Sequence, residues 1–289
     1  MCVMTERPGP KRVIVNADDF GFSAAISDGI LRAHREGIVT STTLAANMPA
    51  AAEAAGRLAD APDLGVGVHL NASQGPPLSE PGRVLAGDDG QMSRGGLGLI
   101  RACMCRPALL GVIEAEFDTQ IRWVLDRGIS PTHLDTHRHC HGYGPIFARV
   151  IGLARRYDIP YVRRHREVLP GRGWPWAPLK QRGIRLVLNA LGRCRRRKGS
   201  GFLATDGTWG IAHTGLIDAA WLILAAQRAP VGVVEIMTHP GCGDGLAAGL
   251  SRLGERRRAE LAALCDPAVR LAFEQADVEL IHYGHLHGA

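Results

Sequence analysis

The chain has 289 residues, long enough to bury a substantial core without disulfide or metal staples. Its 46% hydrophobic and 21% charged residues are ordinary for a globular enzyme and exclude collagen-like, coiled-coil or extensively disordered architectures. A formal charge of +6 is only mildly basic, and no nucleic-acid partner is predicted from it.

Lys11 and Arg12 lead into Val13-Ile14-Val15-Asn16-Ala17, a β-branched run that reads as a buried strand ending at Asp18-Asp19. A helix is predicted over about Ser23 to Glu36, closed by Gly37. A strand at Ile38 to Leu44, an alanine-rich helix at about Pro49 to Ala59 and a strand at Gly65 to Leu70 follow. This β-α-β-α-β alternation predicts a parallel sheet with right-handed crossovers. Residues Gln74 to Gly98 read as an irregular excursion over the sheet.

Further units are predicted as a helix at Leu109 to Gly128, a strand at Thr132 to Asp135, a helix at Pro145 to Tyr157 and a strand at Tyr161 to Arg163. Residues Glu167 to Asp206 read as an insertion, irregular at first and then a basic helix around Ile184 to Arg197. A strand at Val231 to Thr238, a glycine-rich loop at His239 to Gly245, helices at Arg252 to Leu264 and Pro267 to Gln275, and a strand at Glu279 to Ile281 complete the pattern. The expectation is one α/β domain over residues 1–289, with a basic insertion at about 167–206.

The positive excess lies in two clusters: Arg193, Arg195, Arg196, Arg197 and Lys198, and then Arg256, Arg257 and Arg258. Such runs are usually solvated helix faces, and that is the expectation for both. The alternative for the first is peripheral membrane contact, suited to a lipid-linked substrate. Seven dispersed cysteines without a CxxC pair predict reduced thiols. With no apolar leader-like segment and no run near the roughly 20 apolar residues of a spanning helix, a cytoplasmic location is expected. Oligomeric state is left open, a homo-oligomer included.

Ligands of parallel α/β sheets bind beyond the carboxyl ends of the strands, and here those ends concentrate carboxylates and imidazoles. Asp18-Asp19 ends the first strand, His69 the third and His239 the strand at 231–238. In an extended stretch the two aspartates would point to opposite sides, one toward a metal and one toward a proton; the alternative is that they cap the next helix. Four histidines and an aspartate recur at two-residue spacing in His133-Leu134-Asp135-Thr136-His137-Arg138-His139-Cys140-His141, placing one set on a single face of an extended chain. Burying them without a partner would be costly, and a divalent cation is a suitable one. Some of them, Asp135 and His139 included, are expected to orient ligands or meet substrate. Arg163 and Arg164 are candidates for binding substrate or steadying Asp18, with no sequence basis for choosing between them.

Such parts support metal-assisted amide hydrolysis, with a carboxylate as base and a histidine as acid. A GxSxG elbow, a Walker loop and a GxGxxG after the first strand are all missing from the sequence. Rival readings are metal-dependent cleavage of another bond, such as a phosphoester, or a non-catalytic sugar-binding protein.

These residues resemble the YdjC-like family of carbohydrate deacetylases. The resemblance is carried by Val15 to Gly21, Gly37 to Thr43, Gly67-Val68-His69-Leu70, Thr132 to His137 and Glu235 to Gly241, in that order. It implies an irregular (β/α) barrel and a divalent metal, Mg2+ first and Zn2+ as the alternative, held by Asp19, His69 and His137. It further implies Asp18 as base, His239 as acid and an N-acetylated amino sugar as substrate. Arg138 and Cys140 depart from the family's histidine-rich pattern at positions that are not implied ligands.

Overall fold

The computed structural model describes residues 9–171, 173–193, 204–242 and 253–286, with side chains omitted for 191–193. Its strands are β1 (Lys11–Phe20), β2 (Ser41–Leu44), β3 (Gly65–Leu70), β4 (His133–Thr136), β5 (Tyr161–Val162), β6 (Gly207–Trp209), β7 (Gly232–Thr238) and β8 (Val278–Leu280). The helices are α1 (Ala24–Arg35), α2 (Ala51–Gly56), α3 (Gly95–Cys105), α4 (Leu109–Leu125), α5 (Gly144–Arg156), α6 (Leu179–Arg193), α7 (Ala219–Gln227), α8 (Glu255–Leu264) and α9 (Pro267–Gln275).

All pairings among these strands are parallel, in the order β5-β4-β3-β2-β1-β7-β6, with β8 beside the start of β1. The two ends of this order approach one another. Thr208 of β6 donates its N–H to the Arg166 carbonyl at 2.9 Å and its hydroxyl to the Arg164 carbonyl at 2.7 Å. The seam after β5 thus turns the sheet into an irregular (β/α) barrel. Parallel strands with helices outside are buried on both faces, so β1 and β3 are buried almost throughout.

Beyond the strand ends, side chains fix the loops. Ser23 caps α1 by accepting from Ile26 N–H at 3.2 Å, so neither neighbouring aspartate serves as the cap. Buried Glu116 of α4 accepts the N–H groups of Leu78 and Ser79, and Gln120 brackets the Asn71 backbone on both sides. Those bonds tie the long excursion after β3 to α4.

Several boundaries move from the expectation. The excursion ends earlier, because Gly95–Cys105 forms α3 with Leu99 and Cys103 buried. Elements β6 and α7 have no counterpart among the expected elements; three strand residues among glycine and threonine carry too short a period to register. The basic helix begins five residues early, at Leu179, and its expected course beyond 193 lies outside the described residues. The same holds for residues 243–245 of the glycine-rich loop and for Arg252. The histidine-rich run is extended only to Thr136; residues His137–Gly142 form a tight helical turn with left-handed Arg138 and His139. That turn breaks the two-residue alternation expected through His141. Among the described residues, no helix is long and apolar enough to cross a membrane.

Gly67 of β3 lies where an added Cβ would stand 2.5 Å from the His133 ring and 2.7 Å from its carbonyl. Gly67→Ala should therefore destabilise the protein by about 1–3 kcal/mol through overpacking of the barrel interior. A urea midpoint equal to that of the wild type would contradict this packing.

Candidate active site

The sequence places its carboxylates and imidazoles at the top of the barrel, and the backbone decides which of them meet. Asp19 has φ 75°, a left-handed conformation rare outside glycine, and the β1–β2 register shifts between Ala17 and Phe20. This corrects the expected alternation of the two aspartates. The kink brings both toward the same histidine, His69, with different partners. Gly21, with φ 88° and Ala51 only 2.9 Å from its would-be Cβ, completes the turn.

Asp19 Oδ1 stands 3.4 Å from His69 Nε2 and 3.4 Å from His137 Nδ1, and those two nitrogens are 3.2 Å apart. Three ligands bound at about 2.1 Å to one cation would be separated by roughly 3.0–3.4 Å. The triangle matches that spacing. Among the described residues no hydrogen bond satisfies the buried Asp19 Oδ1, a defect a cation would remove. Tautomers fit as well. His69 Nδ1 lies 2.7 Å from Asp135 Oδ1, and His137 Nε2 lies 3.2 Å from Gln74 Oε1. With the protons on those nitrogens, both remaining lone pairs face the centre of the triangle. A second group, Asp18, His69 and Asp135, is close enough to hold an ion, but its carboxylates are already engaged by Arg163.

Arg163, expected as either a substrate contact or a support for Asp18, is the support. Its guanidinium is fully buried, donating to Asp18 at 2.7 and 2.6 Å, to Glu235 at 2.8 Å and pairing with Asp135 at 2.5 Å. Asn16 also donates to Asp18 Oδ1 at 2.9 Å. Burial would raise the Asp18 carboxyl, but Arg163 outweighs it and holds that group well below the usual carboxylate range. Arg164, by contrast, lends its carbonyl to the barrel seam. Glu235 accepts further bonds from Tyr283 Oη at 2.8 Å and Thr208 Oγ1 at 2.9 Å, and burial raises its carboxyl.

Asp19 Oδ2 pairs with buried Arg257. This corrects the expectation of a solvated face at Arg257 alone; Arg256 and Arg258 are exposed. Arg257 lies four and seven residues before Leu261 and Leu264, both buried, and shares their face of α8. Extending that apolar period backward would reveal it. Burial disfavours a proton on Asp19's imidazole neighbour His137 and lowers it; Asp19 itself is held low by Arg257 against burial.

For His69 burial works downward, yet Asp135 and Asp19 prevail and push it up to about 10. His239 follows β7 with its N–H donated to Glu260 at 2.6 Å; burial lowers its imidazole to about 4, although Asp18 and Asp19 oppose. Its Nδ1 has no hydrogen-bond partner among the described residues. His139 lies in the left-handed turn with Nδ1 3.1 Å from His165 Nε2, and burial lowers it to about 3. His133 and His141 face elsewhere: His133 stacks on Tyr283 at 4.0 Å, and His141 lies between Thr136 and the Arg163 carbonyl. Asn16, Gln74, Glu235 and Tyr283 carry no distinguishing sequence signal, because their roles depend on contacts made across the barrel.

A family profile described as YdjC-like protein matches residues 12–275. The chain belongs to the YdjC-like family. It is 34% identical over 274 residues to a carbohydrate deacetylase of Geobacillus stearothermophilus, covering 95% of this chain and 97% of that one. A carbohydrate deacetylase of Brevibacillus brevis is 31% identical, with 95% and 99% covered. The fold is also similar to the crystal structure of a protein from Enterococcus faecalis described in terms of cellobiose-phosphate cleavage. The TM-score is 0.73 at 24% identity, with 96% and 99% of the two chains covered.

These charges set the pH dependence of the metal-free protein. Burial holds His133, His139, His239 and His282 neutral in the fold, whereas they bind protons below about 6.5 when unfolded. Their contribution is present above that value and is lost as pH falls toward about 4. Glu167 and Glu260, raised by burial to about 7, act oppositely over part of this window but are outnumbered. His69 contributes stability fully present below about 6.5 and lost as pH rises through about 10. Urea midpoints of metal-stripped protein should accordingly peak near neutrality and fall on acidification. Greater stability at about pH 4 than at about pH 7 would contradict the assignment of buried neutral imidazoles.

Proposed function

We propose that this protein is a metal-dependent carbohydrate deacetylase that removes the N-acetyl group from an N-acetylglucosamine-type sugar and releases acetate. One observation carries the reading: three ligand atoms from β1, β3 and the turn after β4 converge within 3.4 Å of one another, beside a carboxylate fixed by Arg163. Relatives spanning nearly the whole chain and named carbohydrate deacetylases support the choice of substrate class.

In this reading Asp19, His69 and His137 hold the cation, and Asp135 orients His69 by accepting its Nδ1–H. A bound divalent cation would polarise the acetyl carbonyl and acidify the attacking water. Asp18 takes the proton from that water as its oxygen attacks the carbonyl carbon. So strongly ionised a carboxylate is a weak base, and its use here is matched to an acidified water. His239 protonates the sugar nitrogen as the C–N bond breaks, leaving acetate and a free amine. Neutral in the metal-free fold, it must take up a proton before that step, which burial opposes and Asp18 and Asp19 favour. His139, near enough to Asp18 and His239 to feel their charges, is assigned to the substrate's polar groups.

Two imidazoles and one carboxylate suit Zn2+ or another borderline cation at least as well as Mg2+. Reconstitution of chelated protein with each cation identifies the working one.

The protein should release acetate from N-acetylglucosamine oligomers, and chelation should lower the rate about 100-fold or more until a cation is restored. Asp18→Asn should lower kcat roughly 100- to 10,000-fold while retaining the bound cation, whereas His137→Ala should lose both. Undiminished turnover in chelated protein, or phosphate release in place of acetate, would contradict the proposal.

A further inference from the structure

Helix α6 is mounted with its polarity reversed. A helix on an aqueous surface turns its apolar stripe to the core and its polar residues outward. Here the inward stripe includes polar Gln181, Arg185 and Asn189, spaced by four, with Leu188 among them. Gln181 donates to the Thr214 carbonyl at 2.8 Å. Asn189 exchanges two hydrogen bonds with the Glu167 backbone, at 2.7 and 2.8 Å. Arg185 lies near the Glu167 carboxylate and works against the rise that burial imposes on it. Leu188 supplies the apolar anchor of this stripe, packed with Ile211 and Met237.

The outward stripe is correspondingly apolar. Leu179 is 73% exposed, Leu186 62% and Val187 55%, with Ile184 at the margin. Just before the helix, Trp176 is 71% exposed. At 100° per residue, Lys180 and Arg182 fall on either side of the Leu179–Leu186–Val187 strip, and both are exposed. A contiguous apolar surface rimmed by charge marks an interaction site.

Charge identifies the occupant. The exposed charges described on this face, Lys180 and Arg182, are both basic, and the sequence between Glu167 and Asp206 contains no aspartate or glutamate. A second copy apposed on this face would bring like charges together, whereas an anionic lipid surface would be attracted to them. An apolar strip flanked by lysine and arginine, with a tryptophan at its edge, has the composition of a helix lying in a membrane interface.

We propose that the outer face of α6, with Trp176, is a docking surface for an anionic lipid bilayer. The cluster Arg193 to Lys198, expected as a solvated helix face, has its side chains outside the described residues. Docking of this kind is independent of the chemistry assigned to Asp18 and Asp19. Because α6 packs against the His137–Gly142 turn, a docked protein would hold the top of its barrel close to the lipid surface.

Vesicle co-sedimentation of the full chain tests the surface directly, using phosphatidylcholine alone and phosphatidylcholine mixed with phosphatidylglycerol. The wild type should sediment with the mixed vesicles, less so as salt rises, and its tryptophan emission should shift to the blue. Leu186→Gln with Val187→Gln should weaken this binding about tenfold or more. Lys180→Gln with Arg182→Gln should weaken it about tenfold or more on the anionic vesicles. All four side chains are exposed, so circular dichroism and urea midpoints should match the wild type. Should the first pair disturb folding, Trp176→Ser with Leu179→Ser tests the same face. Sedimentation of the wild type with neither vesicle, or undiminished binding by correctly folded apolar-face variants, would overturn the proposal. So would a wild-type dimer that binds no vesicle and is split to monomers by the same substitutions.

Discussion

A guanidinium buried in the middle of a barrel is tolerable only if carboxylates surround it, and Arg163 imposes that requirement on the whole upper interior. Desolvating an unpaired ion costs several kcal/mol even after the protein relaxes. Arg163 offsets this with Asp18, Asp135 and Glu235, drawn from β1, β4 and β7. Each of those carboxylates is then fixed in orientation. Asp135, so held, fixes His69; Asp18, so held, stays ionised beside it. Glu235 extends the same network downward to Tyr283, whose ring stacks on His133.

Asp19 is excluded from that network and has one of its own. Its left-handed backbone turns it away from Arg163 and toward Arg257, leaving Oδ1 between two imidazoles with no hydrogen bond among the described residues. Of the buried carboxylates, Asp18, Asp19, Asp135 and Glu235 thus face the two buried guanidinium groups Arg163 and Arg257. A divalent cation would correct the imbalance at the place where the orphaned oxygen lies. Strain at Asp19, of order 1–3 kcal/mol, is then understandable as the condition for aiming it.

Much of this is legible in the amino-acid sequence. Long amphipathic helices such as α1 and α4 and the β-branched strands β1 and β7 carry periods that survive in the fold, so their existence and order follow from pattern alone. The residues Asp18, Asp19, His69, His137 and His239 are legible because they stand at or just beyond strand ends. Their division into two networks is not, because it depends on one positive φ at Asp19 and on Arg163 reaching across the barrel. The second basic cluster misleads at Arg257 for a related reason. Charge runs say nothing of which face turns inward, and in α8 the apolar period puts Arg257 inside, whereas in α6 polar anchors leave Leu179 and Leu186 outside.

The account depends most on one cation being shared by Asp19, His69 and His137. Crystals grown with Mn2+ or Zn2+ and measured at the absorption edge of that metal test it directly. The expected result is an anomalous peak about 2.1 Å from Asp19 Oδ1, His69 Nε2 and His137 Nδ1. An anomalous peak elsewhere in the barrel, or none at saturating metal, would contradict it.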